Sequence, residues 1–307
     1  MIVYETNKNW LRDISHLARS WTMTKIMRAV LAVGVFTAIL CVIELTWFNF
    51  MGMSNATGIF SLLGIVLSIL LVFRTNTAYD RWWEGRKQWG ALVNNARNLA
   101  IMAQVTFPHE QKEERVRMAT LIANFCIAFK EHLRKGVKLE ELIHLSPSDK
   151  EVYPKLNHVP AYISTQIHDL VHSQYRKGTI TPYDWLNFKP EMKSLMDILG
   201  ACERIKKTPI PFSYNVYIKL FITIYVILLP IAVIPEFGFW SVPIVMLVFF
   251  AFIGVQLMAE EIEEPFGLDC NDLPTGDIAH TIKNNVFEIL DARTVPSVVH
   301  HEYEKVF

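Results

Sequence analysis

Hydrophobic residues along this chain are concentrated in two blocks, one near each end of the sequence. The first block contains segments 29–43 and 59–73, and the second contains segments 220–234 and 240–258. About 20 helical residues cross the roughly 30 Å hydrocarbon core of a bilayer. Each segment reaches or approaches that length once its semi-polar flanks are counted. Four buried core helices of a soluble protein are the alternative, but the pairing into two tight hairpins favours four transmembrane helices.

The region between the two blocks has the periodicity of amphipathic helices. It is rich in Ala, Leu, Glu, Lys and Arg, with apolar residues at helical spacing such as Leu121, Phe125 and Phe129. Prolines and Gly136 divide it into five or six predicted helices, and it contains no strand pattern. The predicted units are an N-terminal segment, a first hairpin, a helical cytoplasmic region, a second hairpin and a C-terminal segment, at 1–28, 29–78, 79–211, 212–259 and 260–307.

Basic residues indicate which ends of the hairpins face the cytoplasm. Lys and Arg precede the first segment, follow the second and precede the third, whereas the turns at 48–58 and 235–238 contain neither. The positive-inside rule therefore places both termini and the middle of the chain in the cytoplasm. The predicted location is the plasma (inner) membrane, as a multi-pass protein with the lipid bilayer as its surroundings.

The composition excludes several classes of function. The 30 basic and 30 acidic residues cancel, so no net charge favours nucleic acid as a partner. Four dispersed cysteines indicate neither a disulfide framework nor a zinc ribbon. Nucleotide-binding loops and hydrolase motifs are absent from the sequence. The adjacent His300 and His301 are more typical of a solvated tail than of a metal site. We therefore predict neither an enzyme nor a cofactor.

The second apolar segment carries a pattern suited to lining a pore. Ile65, Ile69 and Phe73 are spaced four residues apart and therefore share one stripe of a helix. Small residues occupy the neighbouring faces, namely Ser61, Gly64 and Ser68. Small residues let membrane helices approach closely, and rings of bulky apolar side chains form constrictions that gate by dewetting. The same stripe could instead face lipid or a neighbouring helix, which is the more common role of Ile and Phe.

Three motifs, in this order, resemble those of the bestrophin family. The first is RTNTAYDRWWEGRKQWG at 74–90, and the second is ER at 203–204 with TPIPFSY at 208–214. The third is EEIEEPFG at 260–267, followed by NDLP at 271–274. Together with the hydropathy pattern, the resemblance covers about residues 1–290 and favours the bacterial and plant-type branch. It implies an all-α membrane protein, a homopentameric ion channel with four membrane helices per subunit and a helical cytoplasmic funnel.

The resemblance also implies where the pore is narrow. In the family, the second helix lines an apolar neck with three rings of side chains, at positions that match Ile65, Ile69 and Phe73. A second constriction near the cytosolic exit corresponds by spacing to Tyr183, with Ile180 as the alternative. The expected permeant ions are small and monovalent, chloride or other anions slightly favoured. Conduction of sodium or potassium, found in some bacterial members, is the alternative.

Charged residues of the motifs are expected to serve structure. Arg74 and Arg81 lie about 20° apart around a helix, so both could face the pore and attract anions. Glu84 follows Arg81 by three residues, however, and this spacing favours an ion pair between them. Glu263 and Glu264 come from the other hairpin, and they are expected to supply partners for the arginines because buried charges require them.

Animal bestrophins carry a calcium clasp in the acidic run after Pro-Phe-Gly. This sequence keeps Asp269 and Asp272 at matching positions, but Leu268 and Asn271 stand beside them. Calcium prefers six to eight oxygen ligands, more than this run offers. The sequence therefore favours a helix-capping or subunit-contact role for the two aspartates over a calcium site.

Two other functions stay open at this stage. A scaffold that only anchors the helical region would conduct no ions, and its apolar stripe would face lipid. A secondary transporter normally needs more spans and intramembrane charges, for which this chain offers Glu44 and Lys219 near the ends of segments. A channel accounts best for the stripe and the motifs together.

Overall fold

The computed structural model describes residues 21–48, 56–269 and 271–292, and all regular elements in these residues are helical. The predicted all-α class is thus confirmed. Short 3₁₀ turns cover Leu139–Glu141, Tyr153–Lys155 and Gly238–Trp240, and a π-helical turn, Glu44–Phe48, extends the first helix. The α-helices are α1 (Trp21–Ile43), α2 (Ala56–Thr106), α3 (Lys112–His132), α4 (Pro147–Val152), α5 (Val159–Arg176), α6 (Pro182–Lys207), α7 (Phe212–Phe237), α8 (Ser241–Glu263) and α9 (Thr275–Ile289).

Three continuous helical segments in the described residues are long and apolar enough to cross a membrane. They are Thr22–Trp47, Thr57–Thr106 and Phe212–Glu263. The last segment turns back on itself at Gly238, whose φ of +53° suits a residue without a Cβ. It therefore supplies two antiparallel helices, α7 and α8, so the segments together contain four long apolar helices. The number of bilayer crossings stays a prediction.

Helix α2 joins the apolar membrane part of the molecule to the helical part built around α3. It contains 51 residues, which corresponds to a length of about 75 Å. The predicted boundary at residue 78 is a change in composition only, because no proline interrupts the helix there. A helix satisfies its own backbone hydrogen bonds in lipid and in water alike, and so it can continue through the interface.

The helices bury two separate hydrophobic cores. One lies among the membrane helices and includes Leu67 of α2, Ile222 of α7 and Val245 of α8. The other is built around α3, whose Phe129 ring stacks on Trp89 of α2 with centroids 5.1 Å apart. Since α2 contributes to both cores, it fixes the membrane helices relative to the helices around α3.

Candidate ion pore

The three predicted neck residues lie on one exposed stripe of α2. The side chains of Ile65, Ile69 and Phe73 are 57%, 51% and 61% exposed, whereas Leu67 and Leu71 on the opposite face are 0% and 3% exposed. Full burial of such an apolar side chain is worth about 1.5–3 kcal/mol. Within the described part of one subunit, nothing covers this apolar stripe. In the membrane it must therefore face a pore, lipid or another subunit.

Helix α7 holds α2 from behind this stripe. The Tyr225 hydroxyl donates to the carbonyl oxygen of Phe60 at 3.2 Å, and the Tyr214 hydroxyl donates to that of Leu70 at 3.2 Å. Gly64 permits this approach, since a Cβ at that position would lie 2.9 Å from the Tyr225 hydroxyl oxygen. The predicted close packing at Gly64 is thus present, and the partner is the aromatic side chain of α7.

The other two small residues of the predicted set, Ser61 and Ser68, have hydroxyl groups that bind within their own helix. The Ser61 hydroxyl donates to the carbonyl oxygen of Thr57 at 2.9 Å, and the Ser68 hydroxyl donates to that of Gly64 at 2.8 Å. Both serines are exposed and already have hydrogen-bond partners within α2. A neighbouring helix could pack there without any further polar partner.

Arg74, one residue after the stripe, points away from it into the protein. Its side chain is fully buried, and its Nη2 donates to Glu263 Oε2 at 2.5 Å. The other carboxylate oxygen, Oε1, accepts the backbone N–H of Ile210 at 2.8 Å. The expected pairing between hairpins is present here, and it ties α2 to the end of α8 and to the start of α7. Arg74 is thus not available to attract ions in a pore.

Arg81 binds helix ends rather than Glu84, so the predicted Arg81–Glu84 ion pair is wrong. Its Nε donates to the carbonyl oxygen of Glu263 at 3.1 Å and its Nη2 to that of Ile205 at 2.6 Å, while Nη1 donates to the carbonyl oxygen of Thr208. These carbonyls lie at the ends of α8 and α6, where helices lack internal donors. The guanidinium therefore caps two helices at once.

Glu84 and Glu264 have other surroundings. The Glu84 carboxylate pairs with Lys87 at 2.6 Å and accepts from the Gln88 amide at 2.7 Å, both on α2. Glu264 is exposed and lines a cleft together with Arg81 and Lys206. Neither glutamate is a partner of Arg74, and that role belongs to Glu263 alone among the acidic residues of the three motifs that the structure describes.

The two candidates for the cytosolic aperture have opposite environments. Tyr183 is 78% exposed at the first turn of α6, whereas Ile180 is 4% exposed and belongs to the hydrophobic core around α3. Thr181 fixes this turn: its hydroxyl accepts the N–H of Asp184, and the Asp184 carboxylate accepts the N–H of Thr181. Since Ile180 is needed inside the subunit, the alternative that it lines the exit is wrong for this chain.

Asp272 stabilises the loop between α8 and α9 through a hydrogen bond within the loop. Its Oδ2 accepts the backbone N–H of Asp269 at 2.6 Å, and its side chain is almost fully buried. Burial, together with the charge of Asp269, raises the pKa of Asp272 to about 7 despite that hydrogen bond. The contact that the structure shows for this carboxylate is therefore an internal one, to the backbone of its own loop. Asp272 is not a helix cap, because Pro274 is the N-cap of α9.

The remaining predicted charges lie at the ends of the membrane helices. Glu44 is buried in the π-helical turn after α1. Lys219 Nζ pairs with Glu260 Oε1 at 2.5 Å, which joins α7 to α8 in an exposed position. His300 and His301 lie outside the described residues. Neither Glu44 nor Lys219 stands in the middle of a span, where a transporter site would need them.

A cluster that sequence spacing does not reveal joins α3, α6 and the residue that precedes α5. Glu203 Oε1 lies 2.6 Å from His132 Nε2 and 3.2 Å from His158 Nε2, and the two rings are tilted against each other with centroids 4.4 Å apart. Two histidines and a glutamate are a zinc-type ligand set. His158 Nδ1, however, accepts the N–H of Ala161 at 3.2 Å. The neutral ring then carries its proton on Nε2, which suits a hydrogen bond to Glu203 rather than a metal.

Comparison with known sequences decides the family. The sequence matches the model of the Bacterial/Fungal Bestrophin protein family over residues 1–288. This range includes the stripe on α2 and all three motifs around Arg74, Glu203 and Glu263. The chain belongs to the bestrophin family. The match thereby confirms the resemblance to bestrophins that the three sequence motifs indicate.

Relatives of this bestrophin are named as channel-forming proteins. A voltage-dependent anion channel-forming protein of Nostoc sp. is 38% identical over 244 residues, which cover 78% of each chain. The voltage-dependent anion channel-forming protein YneE of Escherichia coli is 28% identical over 299 residues, and these cover 97% of each chain. The similarity to YneE therefore extends over nearly the whole of both proteins.

Solved structures have the same fold as this bestrophin. A crystal structure of a bacterial bestrophin homologue from Klebsiella pneumoniae superposes with a TM-score of 0.80 at 25% sequence identity. The match covers 88% of this chain and 100% of that one. A single-substitution variant of the Klebsiella homologue gives a TM-score of 0.78 at 26% identity. The helical architecture of this bestrophin, with α2 running through both parts, is thus that of a known membrane protein.

Proposed function

We propose that five copies of this bestrophin form a channel for small monovalent ions, in which anions such as chloride permeate somewhat better than cations. The observation that carries the proposal is the exposed apolar stripe of Ile65, Ile69 and Phe73 on α2, opposite the buried side chains of Leu67 and Leu71. Support comes from the names of the relatives in Nostoc and Escherichia coli, which describe anion channel-forming proteins.

The stripe has the properties of an apolar gate. Successive members are four residues apart, so three stacked rings would extend over about 12 Å of the pore axis. Apolar rings of this kind offer no hydrogen bonds to water, and a narrow column of water between them is unstable. The neck would therefore regulate flux by wetting, and its uncharged side chains would not determine the sign of the permeant ion.

Tyr183 is the proposed second constriction. Its exposed ring at the start of α6 would face the axis near the cytosolic exit, held by the capping box of Thr181 and Asp184. Because this ring carries a polar hydroxyl, the exit would be wetter than the neck. Tyr183→Ala should raise conductance without a change in opening frequency, whereas unchanged conductance would exclude Tyr183 from the narrow part of the exit.

The experiment that tests the neck compares two triple variants in planar bilayers. Ile65→Ala, Ile69→Ala and Phe73→Ala together should raise conductance or alter selectivity. The matched control replaces Leu31, Val35 and Ile39 of α1 with Ala, since these residues are equally exposed and equally spaced. Unchanged currents in the neck variant, or equal changes in both variants, would contradict the pore assignment.

The sign of the permeant ion and the number of subunits require their own measurements. Under a salt gradient, a reversal potential toward the chloride equilibrium potential supports the anion channel. A shift toward the cation potential favours the alternative, a bacterial channel for sodium or potassium. Mass measurement of the intact complex should give five copies. Folded, oligomeric protein without current in any salt would favour the scaffold hypothesis.

Two further properties follow from the same proposal. We infer that the helical region around α3 lies in the cytoplasm of a cell whose plasma membrane holds α1, α7 and α8. A cysteine in place of the exposed Tyr183 should then be labelled from the inside only. We also infer that conduction needs no calcium at Asp269 and Asp272, so currents should be equal in calcium and in chelator.

A further inference from the structure

The exposed stripe of α2 does not end at Phe73. At about 100° per residue, the positions that follow fall in the same arc of about 80° around the helix. All of them are exposed in the subunit, and they are Asn76, Asp80, Trp83, Lys87, Ala91, Asn94, Asn98, Ile101 and Val105. The opposite face stays buried, as at Arg74 and Ala78. One face of this continuous helix is therefore left uncovered from the neck to the end of α2.

The character of this face changes at the inner end of the neck. Ile65, Ile69 and Phe73 are apolar, but Asn76 and Asp80 bring an amide and a carboxylate within the next two turns. Asp80 lies seven residues beyond Phe73, a rise of about 10 Å along the helix. An ion that leaves the neck on the cytoplasmic side would meet these polar groups first.

The charge of Asp80 is not balanced along this face. No hydrogen bond or ion pair to Asp80 is found within the described part of the chain, and the adjacent Arg81 points away to cap α6 and α8. Lys87, the next charge on the face, is paired with Glu84 at 2.6 Å. The Lys87 charge is thus locally offset, while the Asp80 charge is not.

We propose that the five Asp80 side chains form a ring of carboxylates at the inner mouth of the neck, which attracts cations, repels anions and so sets the anion-to-cation permeability ratio. The inference rests on the proposed pentamer with its neck on α2. Rings of Asp or Glu are the means by which pores favour cations. Here the ring opposes the anion preference, so the channel selects only weakly between the two signs.

The test measures reversal potentials in planar bilayers under a potassium chloride gradient. Asp80→Asn removes the charge and preserves the shape, and it should raise the anion-to-cation permeability ratio by roughly 3- to 10-fold. Asp80→Glu should keep the wild-type ratio. The matched control is Asp169→Asn, which makes the same exchange at an exposed site on α5.

The salt dependence and the variants together distinguish failure of the Asp80 proposal from failure of the proposed channel function. The effect of Asp80→Asn should shrink in 1 M salt, where the Debye length is about 3 Å instead of about 10 Å at 0.1 M. Conducting wild-type protein with an unchanged ratio in Asp80→Asn would overturn the ring and leave the channel standing. A ratio that shifts equally in Asp80→Glu or in Asp169→Asn would also overturn it. Wild-type protein that conducts no ion would instead contradict the proposed function itself.

Discussion

Arg74 on α2 donates a hydrogen bond of 2.5 Å to Glu263 at the end of α8, and this buried contact anchors α2 one residue beyond the proposed neck. The arginine is fully buried and the glutamate nearly so. Glu263 also accepts the backbone N–H of Ile210, which leads into α7. A single carboxylate thus fixes three chain segments at the level where the exposed stripe changes from apolar to polar.

Loss of this carboxylate should weaken the fold strongly. Glu263→Gln leaves the Arg74 charge buried without a counter-ion, and such a loss costs about 3–5 kcal/mol. We expect a markedly lower unfolding temperature in detergent and early loss of the oligomer, measured by fluorescence-detected size-exclusion chromatography after heating. The control is Glu260→Gln, which breaks the exposed contact with Lys219 and should cost less than about 1 kcal/mol. Equal effects of the two variants would show that the buried pair has no special importance.

A larger side chain at Gly64 should disturb the neck from behind. The Tyr225 hydroxyl is close enough that a Cβ on Gly64 would lie 2.9 Å from it. Gly64→Leu would therefore push α7 from α2, at a cost of about 1–3 kcal/mol for overpacking. Gly64→Ala combined with Tyr225→Phe should be better tolerated than Gly64→Ala alone, since the hydroxyl is then absent. Thermal unfolding of the three variants and of Tyr225→Phe completes a double-mutant cycle, and additive effects would contradict the contact.

The loop that contains Asp272 should become less stable as the pH rises. Burial raises the pKa of Asp272 to about 7, so the folded protein holds this proton between about pH 4 and pH 7, where the unfolded chain has lost it. The folded state therefore loses about 2–3 kcal/mol from this group between pH 5 and pH 8. Asp272→Asn should reduce that pH dependence in thermal unfolding scans. An identical pH profile in Asp272→Asn would exclude the raised pKa.

The helices were predictable from the sequence because their signals are local. Hydropathy and periodicity identify the spans, and the four-residue spacing of Ile65, Ile69 and Phe73 selects the exposed face of α2. The same periodicity continues to Asp80, which lies beyond the hairpin boundary that the change in composition predicts at residue 78. A helix without proline has no reason to end there, and the structure shows that it does not.

The polar contacts were less predictable because they join distant segments. Arg81 was assigned to Glu84 by its spacing of three residues, yet its donors reach carbonyls of Ile205 and Glu263. Unsatisfied carbonyls at helix ends leave no mark in a sequence pattern, since every residue has one. The cluster of His132, His158 and Glu203 was missed for the same reason, because two helices and a loop bring it together.

The cluster around Glu203 should give a pH dependence of the opposite sign to that of Asp272. Burial alone would raise the pKa of Glu203, but the hydrogen bond from His132 and the charges of Lys207, His132 and His158 lower it overall. A lowered carboxyl pKa stabilises the folded state at neutral pH, and this contribution is lost as the pH falls through the folded-state pKa.

Glu203→Gln should therefore destabilise the helices around α3 at pH 7 and have less effect near pH 4. The cluster is partly exposed, so solvent screening limits the cost to about 1 kcal/mol. The measurement is thermal unfolding at both pH values, with Asp197→Asn as the control on the same helix, because its ion pair with Lys193 is exposed. A larger loss at pH 4 than at pH 7 would contradict the lowered pKa. A gain in unfolding temperature on addition of zinc, absent in Glu203→Gln, would show that these three side chains bind metal after all.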